Sequence, residues 1–241
     1  MKHLGTLDDP VLLDALASKV ADARRLLREI ADDFSPAALA SSLGAEDMVL
    51  TDLIVTDRLD IEIFSLDTGR LPAETYALIA KVKSHYGLAL HLYYPRHDLA
   101  EAWTREHGIN AFYESVELRK GCCHFRKVEP LQRALTGRKA WITGMRAQQS
   151  ATREDLPLRS FDAASGGLEK FNPLAAWSER EVWAYLKQHQ VPYNALHDQF
   201  YPSIGCAPCT RAISPGEDVR AGRWWWENPE SKECGLHLKR A

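Results

Sequence analysis

Ala37-Ala38-Leu39-Ala40-Ser41-Ser42-Leu43-Gly44-Ala45-Glu46-Asp47 is a short apolar run, a turn of small residues and the acidic start of a helical stretch. It reads as a strand over Ala37–Ser41 followed by a helix over Asp47–Thr56. The same succession recurs downstream. Strands are expected over Ile61–Leu66, Ala89–Tyr93, Ala140–Thr143 and Lys170–Leu174, and helices over Pro72–Tyr86, Leu99–Glu106, Cys122–Leu135 and Glu179–His189. Strands alternating with helices predict an α/β fold: a mostly parallel sheet covered by helices on both faces. Ahead of this pattern, Pro10 follows two aspartates, and Val11, Leu12, Ala15, Leu16, Val20, Ala23, Leu26, Leu27 and Ile30 recur at helical spacing until Ser35-Pro36 breaks it. Ala163–Gly167 reads as a loop, and the alternation is lost after about residue 190.

In such sheets ligands bind beyond the carboxyl ends of the strands. Ser41-Ser42-Leu43-Gly44-Ala45-Glu46-Asp47 follows the first strand and enters a helix N-terminus, where backbone N–H groups and the helix dipole suit an anion. Leu66-Asp67-Thr68-Gly69-Arg70 follows the second, and Gly144-Met145-Arg146 puts a guanidinium after the fourth. Each is an ordinary turn on its own. Three at successive strand ends argue for a polyanion site.

The chain has five cysteines in 241 residues. Cys122 and Cys123 are adjacent in Gly121-Cys122-Cys123-His124-Phe125-Arg126-Lys127. Their Cα atoms lie about 3.8 Å apart across a trans peptide, so a disulfide between them would be strained. Cys206 and Cys209 form Cys-Ala-Pro-Cys, and Cys234 stands alone near the end. Two plus two makes a four-thiolate site, which Cys-x-x-Cys spacing alone leaves open to zinc, redox or iron–sulfur chemistry. Arg119, Lys120, Arg126 and Lys127 surround the adjacent pair in sequence. The net charge of −3 and pI near 6.3 give no general argument for nucleic acid or an acidic membrane surface. There is no run of about 18 apolar residues and no signal-peptide core, so a cytoplasmic protein with reduced thiols is expected.

Ser-Leu-Gly-Ala-Glu-Asp, Leu-Asp-Thr-Gly-Arg, Cys-Cys-x-x-Arg-Lys, Gly-Met-Arg, Cys-x-x-Cys and Glu-Cys-Gly-Leu-His, in that order from Ser41 to His237, resemble the assimilatory adenylyl-sulfate (APS) reductases, the iron–sulfur branch of the APS/PAPS reductase family. The resemblance implies an adenine-nucleotide α-hydrolase-like sheet. The chain is expected to divide into a helical segment over 1–34, which carries none of these motifs, a nucleotide-binding domain over 35–200 and a C-terminal segment over 201–241 that ends in a mobile tail. The resemblance implies a [4Fe-4S] cluster on Cys122, Cys123, Cys206 and Cys209, with Cys234 as the nucleophile. Substrate contacts are expected from Ser41, Ser42, Leu66, Lys127, Arg146, Arg220, Arg223 and His237. The implied reaction converts APS to sulfite and AMP through an S-sulfocysteine on Cys234, with thioredoxin or a glutaredoxin-like protein as reductant. Neither nucleic acid nor membrane is an expected partner, and a homo-oligomer is compatible with the pattern.

Three other readings remain at this point. A PAPS or dual APS/PAPS reductase shares the motifs, although members that use PAPS alone typically lack the four cluster cysteines. A tRNA thiolase of the ATP-pyrophosphatase type shares the sheet but would carry Ser-Gly-Gly-x-Asp-Ser in place of Ser-Leu-Gly-Ala-Glu-Asp. A zinc-stabilised module accounts for four cysteines and leaves Cys234 and the strand-end loops idle.

Overall fold

The computed structural model describes residues 6–149 and 156–228. Helix α1 (Pro10–Asp33) starts where the Asp9 carboxylate accepts from the Val11 N–H and where Pro10, with no N–H to satisfy, takes the first turn. Its Leu16, Ala23, Leu27 and Ile30 are buried on one face. The chain continues as β1 (Ala37–Ala40), α2 (Ala45–Thr56), β2 (Ile61–Leu66), α3 (Ala73–Tyr86), β3 (His91–Tyr93), α4 (His97–His107), α5 (Val116–Cys123), α6 (Glu129–Leu135), β4 (Ala140–Ile142), β5 (Arg159–Asp162), β6 (Leu168–Phe171) and α7 (Glu179–Gln188).

Among the described residues six strands form one sheet in the order β3-β2-β1-β4-β6-β5. All neighbours are parallel except β5, which runs antiparallel to β6. The strand order reverses between β1 and β4, where a doubly wound sheet opens a crevice at its carboxyl edge. Alternate residues of β1 serve opposite faces. Ala37 and Leu39 join the larger core with residues of α1, α2 and α7, whereas Ala38 packs with Phe64, Leu131, Leu135 and Trp141. Helix α2 is buried almost all round, and its Asp52 accepts from the hydroxyls of Tyr86 (2.9 Å) and Tyr185 (2.6 Å). A buried carboxylate is tolerated where its oxygens are satisfied in this way.

Three expectations about elements are corrected. The single helix expected over Cys122–Leu135 is α5, a π turn over His124–Val128, and α6. Helix α5 begins six residues earlier than expected because the Ser115 hydroxyl caps the Leu118 N–H. At the π turn the Glu129 N–H reaches the His124 carbonyl, five residues back, and Pro130 has no N–H to continue an α-helical ladder. Strand β5 was not expected, since Arg159-Ser160-Phe161-Asp162 is an exposed edge strand with little apolar signal. The Ala163–Gly167 stretch is its hairpin turn, held by Asp162 accepting from the Ala164 and Ser165 N–H groups and by Gly166 and Gly167 at φ +99° and +77°. Strand β6 lies earlier than Lys170–Leu174, because Pro173 removes a donor that a later strand would need. No described helix is long and apolar enough to cross a membrane.

Candidate active site

The loops leaving β1, β2 and β4 border one cleft of about 910 Å³ at the carboxyl edge of the sheet. Ser41, Ser42, Leu66, Lys127, Arg146, Arg220 and Arg223 all line it. Cys234 and His237, the remaining expected site residues, lie outside the described residues.

The β1 loop is locked from within by Asp47, which lies on the first turn of α2. One carboxylate oxygen accepts from the Ser42 N–H and the Ser42 hydroxyl, both at 2.6 Å, and the other accepts from the Gly144 N–H at 3.0 Å. Asp47 thus joins the loop after β1 to the loop after β4. Any Cβ at Gly144 would overlap the Asp47 carboxylate, so the glycine makes room for the clamp. Burial pushes the Asp47 pKa up to about 6; hydrogen bonds from Ser42 and Gly144 pull it down and the neighbouring Glu46 charge adds to the rise. Ser41 donates its N–H to Phe64 O and accepts from the Leu43 N–H, with Leu43 at φ +61°. The loop is therefore a preformed turn that needs no ligand to hold its shape.

Arg146 is 6% exposed, and its Nε donates to Glu46 at 2.7 Å. The guanidinium is thus held at the cleft by a carboxylate from the opposite loop. His197 also lines the cleft; burial pushes its pKa down, keeping the imidazole neutral. On the C-terminal side, Arg223 donates to the Ile204 carbonyl at 3.2 Å, and its guanidinium fills the space where a Cβ at Gly205 would otherwise stand. Lys127 borders this cleft and also a second, smaller recess.

That recess is lined by Cys122, Cys123, Cys206 and Cys209 together with Arg70, Arg119, Arg126 and Lys127. Among the described residues no three His, Cys, Asp or Glu side chains stand at the spacing of a single bound ion. Cys122 and Cys123 arrive on the last turn of α5, and Cys206 and Cys209 on a 3-10 turn over Ala207–Cys209. Thr68, from the β2 loop, accepts from Cys206 Sγ (3.2 Å) through its hydroxyl and from Arg126 (2.6 Å) through its carbonyl. Burial pushes the Cys209 thiol up to about 12 and the Cys122 thiol above its usual range, with Arg126 opposing the shift at Cys122. Four soft donors gathered among fixed cations suit a group that binds thiolates and is itself anionic. Of the basic residues next to the pair, Arg126 and Lys127 line the recess as expected, Arg119 lines it while its guanidinium turns to Glu227, and Lys120 is exposed.

Asp47, Glu46, His197 and Arg70 were not singled out from sequence. The first two stand inside the Ser41–Asp47 motif but read there as a helix start. Their partners Gly144 and Arg146 lie about a hundred residues away.

Residues 36–212 match the phosphoadenosine phosphosulfate reductase domain model. The chain is 58% identical to an adenosine 5'-phosphosulfate reductase of Allochromatium vinosum over 94% of this chain and 88% of the relative. It is 53% identical to one from Burkholderia cepacia, over 98% and 94% of the two chains. Among solved structures, a phosphoadenylyl-sulfate reductase from Candida auris in a phosphate complex aligns with TM-score 0.68 at 29% identity, covering 83% of this chain and 95% of that one. Yeast FAD synthetase, at 14% identity and TM-score 0.57 over 88% and 72%, shares the fold.

Proposed function

The chain belongs to the phosphoadenosine phosphosulfate reductase family, and on that premise we propose that it reduces adenylyl sulfate to sulfite and AMP in sulfate assimilation. The observation that carries this reading is the cleft itself. Three strand-end loops, Lys127, Arg146, Arg220 and Arg223 border one volume large enough for a nucleotide. Relatives named for adenosine 5'-phosphosulfate supply the substrate, and their similarity extends through nearly all of the chain.

In the proposed reaction the nucleotide lies along the strand ends, with its adenosine by Leu66 and its phosphosulfate among Ser41, Ser42, Lys127 and Arg146. The Cys234 thiolate attacks the sulfonate sulfur. The sulfur–oxygen bond to the phosphate breaks, and its electron pair leaves with AMP. The product on the enzyme is an S-sulfocysteine. A thiolate of thioredoxin or a glutaredoxin-like protein then attacks the Cys234 sulfur and releases sulfite. The reductant's second thiol resolves the mixed disulfide, so two electrons come from the dithiol and Cys234 returns to its thiolate. Charge building on the bridging oxygen is met by fixed cations, which stabilise it without proton transfer. Arg220, Arg223 and His237 are proposed to hold the substrate anion from the C-terminal side.

Cys122, Cys123, Cys206 and Cys209 would hold a [4Fe-4S] cluster, the group that fits four soft donors, three buried and one half-buried, flanked by Arg70, Arg126 and Lys127. When bound, it would supply a fixed anionic centre beside Lys127 rather than the two electrons. Lys127 borders both recess and cleft, so its ammonium is the chain's link between them.

The test is an intact mass of anaerobically purified protein after incubation with adenylyl sulfate and no reductant, followed by peptide mapping. A gain of one SO₃ on the peptide containing Cys234 is expected. No adduct, from adenylyl sulfate or its 3'-phosphorylated form, sinks the proposal. A faster adduct from the 3'-phosphorylated nucleotide would turn the reading towards PAPS reduction.

A further inference from the structure

We propose that Glu46 is a specificity-determining residue: its carboxylate is the internal counter-anion of Arg146 and limits how much negative charge the cleft accepts in a nucleotide. The inference rests on the reading of the cleft as a nucleotide site and says which nucleotides suit it.

Glu46 and Asp47 are neighbours on the first turn of α2, where N–H groups without a partner inside the helix favour an anion. Their carboxylates are used differently. Both oxygens of Asp47 are turned to Ser42 and Gly144 and hold the two loops together. Oε1 of Glu46 accepts from the Arg146 Nε at 2.7 Å. Its Oε2 makes no hydrogen bond among the described residues and turns back over the loop after β1, 3.9 Å from where a Cβ at Gly44 would stand. Glu46 itself lines the cleft. Its charge reaches other cleft groups, adding to the pKa rise at Asp47 and opposing the fall at His197.

Arg146 is the other half of the pair, with its side chain 7% exposed. Its Nε is taken by Glu46 and its Nη1 donates to the Trp177 carbonyl at 3.4 Å. Nη2 is the guanidinium nitrogen left for a ligand. The pair therefore brings a donor to the cleft without bringing net charge. At the β1 and β4 loops the cleft has two carboxylates, Glu46 and Asp47, against the one Arg146 guanidinium; Lys127, Arg220 and Arg223 reach it from elsewhere in the chain. An anionic group laid on the β1 loop lies beside the Glu46 carboxylate, which repels each charge it carries. At about 8 Å, in surroundings between protein surface and water, one such charge pair changes affinity about fivefold. The penalty grows with every further charge, so Glu46 biases the cleft towards a nucleotide with a short, weakly charged 5'-substituent.

Glu46→Gln keeps the size of the side chain and an oxygen for the Arg146 Nε while removing the charge. Glu46→Asp keeps the charge. Calorimetric titration of parent and variants with AMP, ADP and ATP, free of divalent cations, reads the dissociation constants. In Glu46→Gln the affinity for AMP is expected to rise about fivefold, with a larger gain for ADP and the largest for ATP. In about 1 M salt, where the Debye length is about 3 Å, these gains are expected to fall below about twofold. Glu46→Asp is expected to gain nothing with any of the three. Weaker binding in Glu46→Gln would make Glu46 a group that merely orients Arg146, and overturns the proposal. A gain equal for the three nucleotides, untouched by salt, or shared by Glu46→Asp overturns it as well. If the parent binds none of the nucleotides, the functional reading fails and the proposal with it; if the parent binds them and Glu46→Gln binds them no better, the proposal alone fails.

Discussion

The cleft takes Ser41, Ser42, Leu66 and Arg146 from the carboxyl ends of β1, β2 and β4 and is completed by Lys127 and the C-terminal Arg220 and Arg223, whereas the cysteine recess takes most of its groups from α5, the Cys206–Cys209 turn and the loops around them. The cleft's side chains sit on a sheet whose parallel ladders would form without any ligand. The recess has no strand beneath its cysteines; it is held by one-off contacts such as Cys206 to Thr68 and Arg119 to Glu227. A site on a sheet edge keeps its shape when one contact is lost. A site stitched from separate segments depends on each stitch.

The strongest test of that difference is Cys209→Ser. Loss of one of four thiolates is expected to abolish retention of iron and acid-labile sulfide, while AMP affinity stays within a few-fold of the parent. Metal analysis and calorimetric titration on the same preparation check it. Loss of AMP binding together with iron would show that the two regions are one cooperative unit. Chelation of the proposed cluster's iron is the milder version, in which exchange is expected to rise over residues 206–227 and to stay unchanged at Ser41–Ala45.

A smaller effect is expected at Asp47, which ties the loop after β1 to the loop after β4. Asp47→Asn removes a charged acceptor serving three donors and sets an amide N–H₂ against them, worth about 1.5–3 kcal/mol by the usual value of hydrogen bonds to charged groups. A rise in KM of roughly ten- to a hundredfold is expected, with kcat less affected, because loop geometry and not the proposed nucleophile has changed. The pH dependence carries a sign that separates affinity from stability. With its pKa raised to about 6 by burial, Asp47 becomes protonated as pH falls through 6, the clamp weakens and KM rises. The unfolded pKa is the lower of the two, so holding this carboxylate ionised costs stability above pH 6, on the order of 3 kcal/mol. That cost fades between pH 6 and about 4. Affinity and this group's stability contribution therefore move in opposite directions over that window. A KM profile in Asp47→Asn that keeps the shoulder near pH 6 would assign it to another group.

The same contrast explains what the sequence revealed. Ser41–Asp47, Leu66–Arg70 and Gly144–Arg146 are each contiguous, and strand alternation alone put them at one edge, where the cleft is. The gathering of both cysteine pairs at one recess followed from counting thiols. What stayed hidden was every contact whose partners are remote and chemically ordinary: Asp47 with Gly144, Glu46 with Arg146, Arg119 with Glu227. The π turn was illegible for a related reason, since Cys122–Leu135 has good helical composition and only Pro130 marks a break in its ladder.

The smallest expected effect concerns three residues that look alike in sequence. Trp224, Trp225 and Trp226 are consecutive and chemically identical, yet Trp224 is 1% exposed and Trp225 is 39% exposed. Trp224 carries the Arg119 and Arg223 guanidinium contacts and sits in the same apolar cluster as Cys122, Cys206 and Cys209. Trp225 meets the rings of Tyr113 and Trp226 edge-on, at centroid distances of 6.2 and 4.8 Å. Truncating Trp224 to alanine is expected to cost about 3–5 kcal/mol, as buried large-to-small changes do. Truncating Trp225 removes edge contacts worth about 0.5–1.5 kcal/mol and leaves the bond from the Trp224 N–H to the Cys209 carbonyl intact. Denaturant unfolding of both variants tests the assignment. Equal losses would mean that the segment is held by its aromatic ridge as a whole, and that Arg119 and Glu227 are not its principal anchor.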